Sequence, residues 1–317
     1  MTDNQRIARE TIRAVILGHA VADALGVPVE FRSRGMLDQN PLTDMVGYGT
    51  YNLPAGSWSD DTSMTLCALD VLAEGEEDFG RIMENFHSWY SKGAYTPGDD
   101  CFDIGGTCLQ AIRNYAVSGT FPTECGLRGD NSNGNGSLMR ILPFVLYAHY
   151  AGYTDEEMKT LVHEASSLTH AHERSLVGCG IYALLVRSVL QRGQAGIGEG
   201  LRKAAALYAS EPELTAYVRI FSPDFADLPR EDIRSSGYVV DSLEAAVWCL
   251  LTTDNYGDCV LKAANLGEDT DTVAAIAGGL AGALYGMEEI PAKWLDTLIR
   301  RDFIEEMCDR AAETWVK

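Results

Sequence analysis

Apolar residues along this chain recur at three- and four-residue intervals, and the pattern predicts helices almost throughout. Residues 4–26 carry Ile7, Ile12, Val15, Ile16, Val21 and Leu25 on one face and stop at Gly26, ahead of Pro28. Residues 57–75 follow a good N-cap, Ser59, with Met64, Leu66, Cys67, Leu69, Val71 and Leu72. Residues 79–92 place Phe79, Ile82, Met83, Phe86, Trp89 and Tyr90 at the same period. A helix within 138–150 contains Pro143, which starts or kinks it. The capping box Thr154-Asp155-Glu156-Glu157 opens another that runs toward Thr169. Residues 173–192, 197–210, 241–253, 256–266 and 293–316 are helical in pattern, the third of these capped by Asp241 with Glu244.

The segments between are poor in period and rich in turn residues. Residues 32–57 read as one long loop of Gly, Pro and Asn, and residues 95–106 as a Gly/Asp loop. Residues 118–137 form a second long loop loaded with Gly and Asn, whose backbone N–H groups suit phosphate. Residues 234–241 are a short extended or turn segment. Loops of such length in a compact domain are often functional. With no βαβ alternation and no internal repeat, the expected fold is all-α: a single compact multi-helix domain over residues 1–317.

One stretch stands apart. Gly267 to Gly286, GEDTDTVAAIAGGLAGALYG, is apolar on every side yet shorter than the ~20 apolar residues of a membrane span. It predicts a helix at the centre of the domain, with small residues that admit close neighbours. Asp269, Asp271 and Thr272 stand at its mouth, and Thr270, Asp271 and Thr272 suit capping. Ser59, Asp60 and Asp61 repeat the arrangement at the start of 57–75. Either start alone reads as a cap. Together they bring four carboxylates, which repel unless they hold protons or cations, and hard ions such as Mg²⁺ prefer carboxylate and hydroxyl oxygens. The pair therefore points to a metal site.

Charge narrows the function classes. A net charge of −21 over 317 residues disfavours nucleic acid and anionic membranes, which need a basic face. It does not exclude a phosphate-bearing ligand held by backbone N–H groups or metal. Eight scattered cysteines without a CxxC pair read as reduced core thiols. The start, MTDNQRIARE, lacks the form of a signal peptide, so a cytoplasmic protein without a membrane partner is expected, and nothing demands more than a monomer.

Several single residues have a plain reading beside a sharper one. Glu30, just past the first helix, reads first as a surface acid. Asp99, Asp100 and Asp103 read first as turn acids. Asp103 differs in lying between Phe102 and Ile104, where apolar neighbours raise a carboxyl's pKa toward acid/base use. His170 and His172, in THAHE, have no Cys or HExxH partner, so a hydrogen-bonding helix junction is favoured over zinc.

The set GHAVADALGVPVEF, WSDDTSM, FDIGGT, NGNGSLMR, LTHAH, SSGYVVDSLEAAVW and ANLGEDTDTVAAIAGGLAGALYG resembles the ADP-ribosylglycohydrolase family, in order, from about residue 12 to residue 290. The resemblance implies an all-α fold with two Mg²⁺ or Mn²⁺ ions at the base of an ADP-ribose cleft. By motif match the metal ligands are Ser59, Asp60, Asp61, Asp269, Asp271 and Thr272, with Ser59 keeping the hydroxyl where many relatives carry Thr. Ser132, Asn133, Gly134, Asn135, Gly136 and Ser137 line the ribose and diphosphate pocket. His170, Ser236, Gly237 and Tyr238 contribute from the side. Asp103 matches an acidic position of the arginine-directed branch, and Glu30 the glutamate that the serine-directed branch uses near its metals. The implied activity is metal-dependent hydrolysis of the N-glycosidic bond of ADP-ribosylated arginine on a protein, releasing ADP-ribose. The alternatives are a hydrolase of serine-linked or O-acetyl ADP-ribose, and an inactive ADP-ribose binder. Without the resemblance, the carboxylate cluster alone reads as a phosphatase-like metallohydrolase.

Overall fold

The first helix and the Ala/Gly-rich helix, whose facing ends are 244 residues apart in sequence, lie backbone to backbone. In the computed structural model, which describes residues 2–316, they are α1 (Asp3–Gly26) and α12 (Thr270–Tyr285). The intervening helices are α2 (Arg34–Gln39), α3 (Asp60–Leu72), α4 (Phe79–Lys92), α5 (Gly106–Ser118), α6 (Leu142–Tyr150) and α7 (Asp155–Ser167). They continue with α8 (Glu173–Arg192), α9 (Ala195–Leu207), α10 (Val239–Leu251) and α11 (Tyr256–Ala264), and α13 (Ala292–Thr297) and α14 (Arg301–Trp315) close the chain. Among the described residues there is no strand, only two isolated β-bridges, Leu127 with His170 and Gly134 with Tyr238. The expected all-α fold is what forms.

Small residues explain the central contact. A Cβ on Gly278 would stand 2.4 Å from the Gly18 carbonyl oxygen, and one on Gly282 would stand 2.1 Å from that of Ala14. α3, α8, α10 and α11 then surround α12, while α14 covers another face of α1. Residues Asp3–Val29 have the length and hydropathy of a membrane span, but 94% of the most apolar window is buried in the protein. α1 is a core helix.

Gly26 ties this packing to the chemistry. A Cβ there would lie 2.4 Å from Asp271 Cα and 2.5 Å from the Thr270 carbonyl oxygen. Only glycine lets the end of α1 abut the start of α12 so closely. Gly26→Ala is expected to lower the unfolding free energy by about 1–3 kcal/mol, the usual range for overpacking, and to displace Asp271. Denaturant unfolding alongside a metal-binding titration checks both effects. An unchanged midpoint with intact metal binding would show that the contact has room to spare.

The helix starts follow their caps. Thr2 opens α1 and Thr154 opens α7, each with a reciprocal capping box, and α6 begins with Pro143 in its first turn. All eight cysteines are free, and Cys101 alone is not fully buried.

Elsewhere the pattern misled. Residues 32–57 contain the short α2, which buries only Leu37 and so shows no period; Arg34 anchors it through hydrogen bonds to the carbonyls of Leu266, Arg230 and Ile233. The expected helix 293–316 is broken into α13 and α14 by Arg300 at φ 51°. α10 begins at Val239, and Asp241 does not cap it but accepts a hydrogen bond from Ser236 Oγ at 2.7 Å. Glu244, 3% exposed, pairs with Arg219 at 3.2 Å.

His163 on α7 makes a hydrogen bond between Nε2 and the Tyr208 hydroxyl at 2.8 Å and stacks on that ring. Burial, with Lys159 adding to it, lowers its pKa to about 4. The folded ring stays neutral where the unfolded one, near 6.5, takes a proton, so the stability it contributes above pH 6.5 is lost as pH falls toward 4. His19 and His170, lowered to about 4 and about 3 by burial, act in the same direction. Unfolding free energies from urea titrations at pH 7.5 and 5 are expected to differ less in His163→Gln than in the parent, by about 1–2 kcal/mol. An equal drop in both proteins would contradict the assignment.

Candidate active site

The acidic first turn of α3 is held from outside. Ser59 Oγ accepts from the Asp61 N–H at 3.3 Å and donates to Asp61 Oδ2 at 2.8 Å. Asp23, on α1, accepts from the Ser59 N–H at 2.9 Å, the Thr62 N–H at 3.1 Å and the Thr62 hydroxyl at 2.6 Å. It is Asp23, 0% exposed, that satisfies most of this helix start, which leaves Asp60 and Asp61 free of capping duty. Sequence reading missed Asp23. Its signal was present: His19 and Asp23 stand four residues apart, on one face, within an otherwise apolar stretch. His19 lies between the Ala275 carbonyl, 3.1 Å from Nδ1, and the Thr65 hydroxyl, 3.4 Å from Nε2.

α12 begins beside this turn. Thr270 donates to the Gly26 carbonyl at 2.8 Å, Asp271 Oδ1 accepts from the neighbouring Thr272 N–H at 2.9 Å, and the Thr272 hydroxyl reaches Asp61 Oδ2 at 3.4 Å. Asp269 occupies the N-cap position without making a side-chain cap bond. Its Oδ2 instead accepts from the Asn135 amide at 2.7 Å. The two acidic helix starts are therefore brought face to face.

Carboxylate oxygens of Asp23, Asp61 and Asp271 lie within 4.8 Å of one another, as do those of Glu30, Asp103 and Asp271. Asp271 belongs to both groups. Asp61 Oδ1, Asp271 Oδ2 and Glu30 Oε2 are buried without a hydrogen-bond partner. Among the described residues no Lys, Arg or His forms an ion pair with Asp23, Glu30, Asp60, Asp61, Asp103, Asp269 or Asp271. Burial, followed by repulsion from neighbouring carboxylates, pushes Asp60, Asp61 and Asp271 well above the usual carboxylate range. Burial also raises Glu30, with Asp103 adding to it, and raises Asp103 and Asp269 against the hydrogen bonds that favour their ionised forms. Buried, mutually repelling carboxylates with orphaned oxygens need protons or a cation. A hard divalent ion fits this all-oxygen set.

Part of the cluster opens on a cleft of about 220 Å³, whose acidic side carries Glu30, Asp60, Asp103, Asp269 and Thr272. Its far wall is Gly134, Asn135, Gly136, His170 and Gly237. The wall is made by the bridge between the 118–137 loop and the segment before α10: the Asn135 N–H donates to Gly237 O at 3.0 Å, and the Val239 N–H to Asn133 O at 3.1 Å. Asn135 also donates to Ser242 Oγ at 2.9 Å. His170 Nδ1 lies 2.9 Å from the Thr169 hydroxyl, and burial keeps the ring neutral. A Cβ on Gly136 would meet His170 Cε1 at 2.8 Å and Cys108 Sγ at 2.9 Å. Glycine here keeps the wall thin.

Other residues expected at the wall, Ser132, Asn133, Ser137, Ser236 and Tyr238, do not line the cleft. Ser137 is fully buried, accepts from Ser166 Oγ at 2.8 Å and meets Cys179. Ser132 is 9% exposed and makes its backbone bond to Gly129. Ser236 is engaged with Asp241, and the Tyr238 hydroxyl accepts from Arg174 at 2.9 Å. His172 caps α8.

A larger cavity of about 450 Å³ lies between α3, α4 and α14. Its Asp70 and Arg310 pair at 2.5 Å, and Arg300 donates to the Thr96 carbonyl. With its charges matched, it offers no comparable chemistry.

Comparison with known proteins agrees with this geometry. A family model described as ADP-ribosylglycohydrolase matches residues 4–317. The chain is 33% identical to the ADP-ribosylarginine hydrolase Tri1 of Serratia proteamaculans, over 94% of this chain and 78% of that protein. It is 33% identical to the ADP-ribosyl-dinitrogen reductase glycohydrolase of Rhodospirillum rubrum, over 89% of this chain and 88% of that protein. A solved structure described as an ADP-ribosylglycohydrolase-related protein complex superposes with a TM-score of 0.81 at 29% identity, covering 98% of this chain and all of that one.

Proposed function

For a chain that belongs to the ADP-ribosylglycohydrolase family and is a hydrolase of that type, we propose metal-dependent cleavage of the N-glycosidic bond between ADP-ribose and an arginine side chain of a modified protein. The observation that carries this reading is the meeting of two acidic helix starts, without a compensating cation, beside Asp103 at one end of the cleft. One relative supports the linkage by its name as an ADP-ribosylarginine hydrolase, and another supports a protein substrate by its name as a glycohydrolase of ADP-ribosylated dinitrogen reductase.

Asp60, Asp61, Asp269, Asp271, Ser59 and Thr272 would hold two Mg²⁺ or Mn²⁺ ions in this reading, which would supply neutralisation of the acids and Lewis-acid polarisation of oxygen. The chain does the rest. Asn135, fixed by Asp269 and Ser242, and the thin Gly134–Gly136 backbone receive the ribose and diphosphate. His170, neutral across the physiological range, offers Nε2 to a hydroxyl without adding charge. Asp103 takes a proton from the water that adds to C1″, as the C1″–N bond breaks through an oxocarbenium-like state. That proton ends on the departing guanidine, so one water is added across the bond. Burial raises both Glu30 and Asp103, and each adds to the electrostatic environment of the other in the metal-free protein.

Intact mass of an arginine-ADP-ribosylated peptide tests the reaction type. Loss of the whole ADP-ribosyl group, with unmodified arginine regained, is the expected product. A phosphoribosyl remnant on the peptide would instead show phosphodiester cleavage, as a phosphatase-like metallohydrolase gives.

A further inference from the structure

Three aromatic residues neighbour the Glu30 and Asp103 carboxyls, two of them in the chain and one through its hydroxyl, and the hydrolysis reading gives them no role. Phe31 follows Glu30, Phe102 precedes Asp103, and Tyr51 stands between, its ring centroid 6.4 Å from Phe31 and 4.9 Å from Phe102. Each of the two phenylalanines is the chain neighbour of a carboxylate that lines the cleft. The Tyr51 hydroxyl lies against both carboxyl groups.

The backbone builds this arrangement deliberately. Phe31 has φ 62° and Asp103 φ 56°, a left-handed conformation that bulky residues rarely adopt. At Phe31 it is locked: the Phe31 N–H donates to Glu268 O and the Glu268 N–H to Arg32 O, both at 2.8 Å. Thr50 donates from its hydroxyl to the Glu30 carbonyl at 2.7 Å and brings Tyr51 alongside. The turn sends the Glu30 side chain inward, 5% exposed, and the Phe31 ring outward, 68% exposed. A large apolar ring that left water for the core would follow ordinary packing; this one is held in solvent beside buried acids.

Aromatic faces beside uncompensated carboxylates recognise a planar cation. A guanidinium stacks on such rings and keeps its N–H groups for the acids, which an ammonium or a hydroxyl does less well. We propose that Phe31, Tyr51 and Phe102 form an acceptor subsite for the guanidinium of the modified arginine, the aromatic wall stacking on its plane while Glu30 and Asp103 face its N–H groups. This subsite rests on the arginine-linked reading and makes the linkage preference a property of the wall. A serine-linked substrate presents no cation to it.

The test is binding as well as turnover. Calorimetric titration of the protein, loaded with Mg²⁺ and ADP-ribose, uses N-acetyl-arginine amide as probe and the citrulline analogue, its neutral isostere, as control. The parent protein is expected to bind the arginine probe and not the citrulline one. Phe31→Gly, which removes the ring at a backbone position glycine favours, and Phe102→Leu should each weaken binding by roughly 3–30-fold, the range of one cation–π contact. The same variants should raise KM for an arginine-linked peptide by a similar factor and leave kcat nearly unchanged. Equal binding of both probes by the parent, or unchanged binding and KM in both variants, overturns the subsite. Failure of the parent to cleave arginine-linked peptide while still binding the arginine probe overturns the proposed reaction instead, and leaves the subsite standing.

Discussion

Asp271→Asn is expected to abolish the response of the protein to divalent cations and to lower ADP-ribose release by more than the ~10–100-fold that loss of a supporting residue around a metal costs. Asp271 is the one carboxylate shared by both acidic groups, it is fully buried, and its Oδ2 has no partner. The same substitution removes one of the mutually repelling, buried carboxyls of the metal-free protein. The metal-free variant should therefore unfold at a temperature equal to or above that of the metal-free parent. Added Mg²⁺ or Mn²⁺ should raise the parent's melting temperature, because an ion that binds only the folded state stabilises it, and should leave the variant unmoved. A variant that melts lower than the metal-free parent and still shifts with metal would mean that Asp271 is a structural residue.

Asp103→Asn separates chemistry from metal binding. The side chain is isosteric, the buried Asp61–Asp271 pair remains, and the melting shift with Mg²⁺ should persist. Release of ADP-ribose from an arginine-linked peptide should fall by ~10²–10⁴-fold, the usual contribution of a positioned general acid or base. A variant with parental activity on that substrate would remove Asp103 from the reaction and leave Glu30 as the carboxylate to test.

What the sequence disclosed depended on how local each signal is. Helices with a strong apolar stripe, such as α4 and α8, have the extents the pattern predicts. The two acidic starts are legible because each is a run of a few residues, and their partnership follows from the repulsion of four carboxylates. α2 was not legible, since one buried leucine makes no period. Nor was the break at 298–300, where an extended Leu298 and a left-handed Arg300 interrupt a continuous apolar pattern.

Within the site, the missing parts are those made by contacts across the chain. Asp23 caps a helix 36 residues away, and its role depends on α1 lying against the first turn of α3. The aromatic wall joins Phe31, Tyr51 and Phe102 from three connecting segments, before α2, between α2 and α3, and before α5, in which composition alone shows no common purpose. In the other direction, Ser137 sits in a motif that suggests a ligand contact and yet turns into the helix packing. A motif fixes which residues are near the site; side-chain direction is set by the fold.

The most direct measurement compares initial rates of ADP-ribose release from one peptide scaffold carrying either arginine-linked or serine-linked ADP-ribose, each with Mg²⁺ and with chelator. Release from the arginine-linked peptide that requires the metal, with little from the serine-linked one, is the expected result. Release from the serine-linked peptide alone, or equal release from the arginine-linked peptide in chelator, contradicts it.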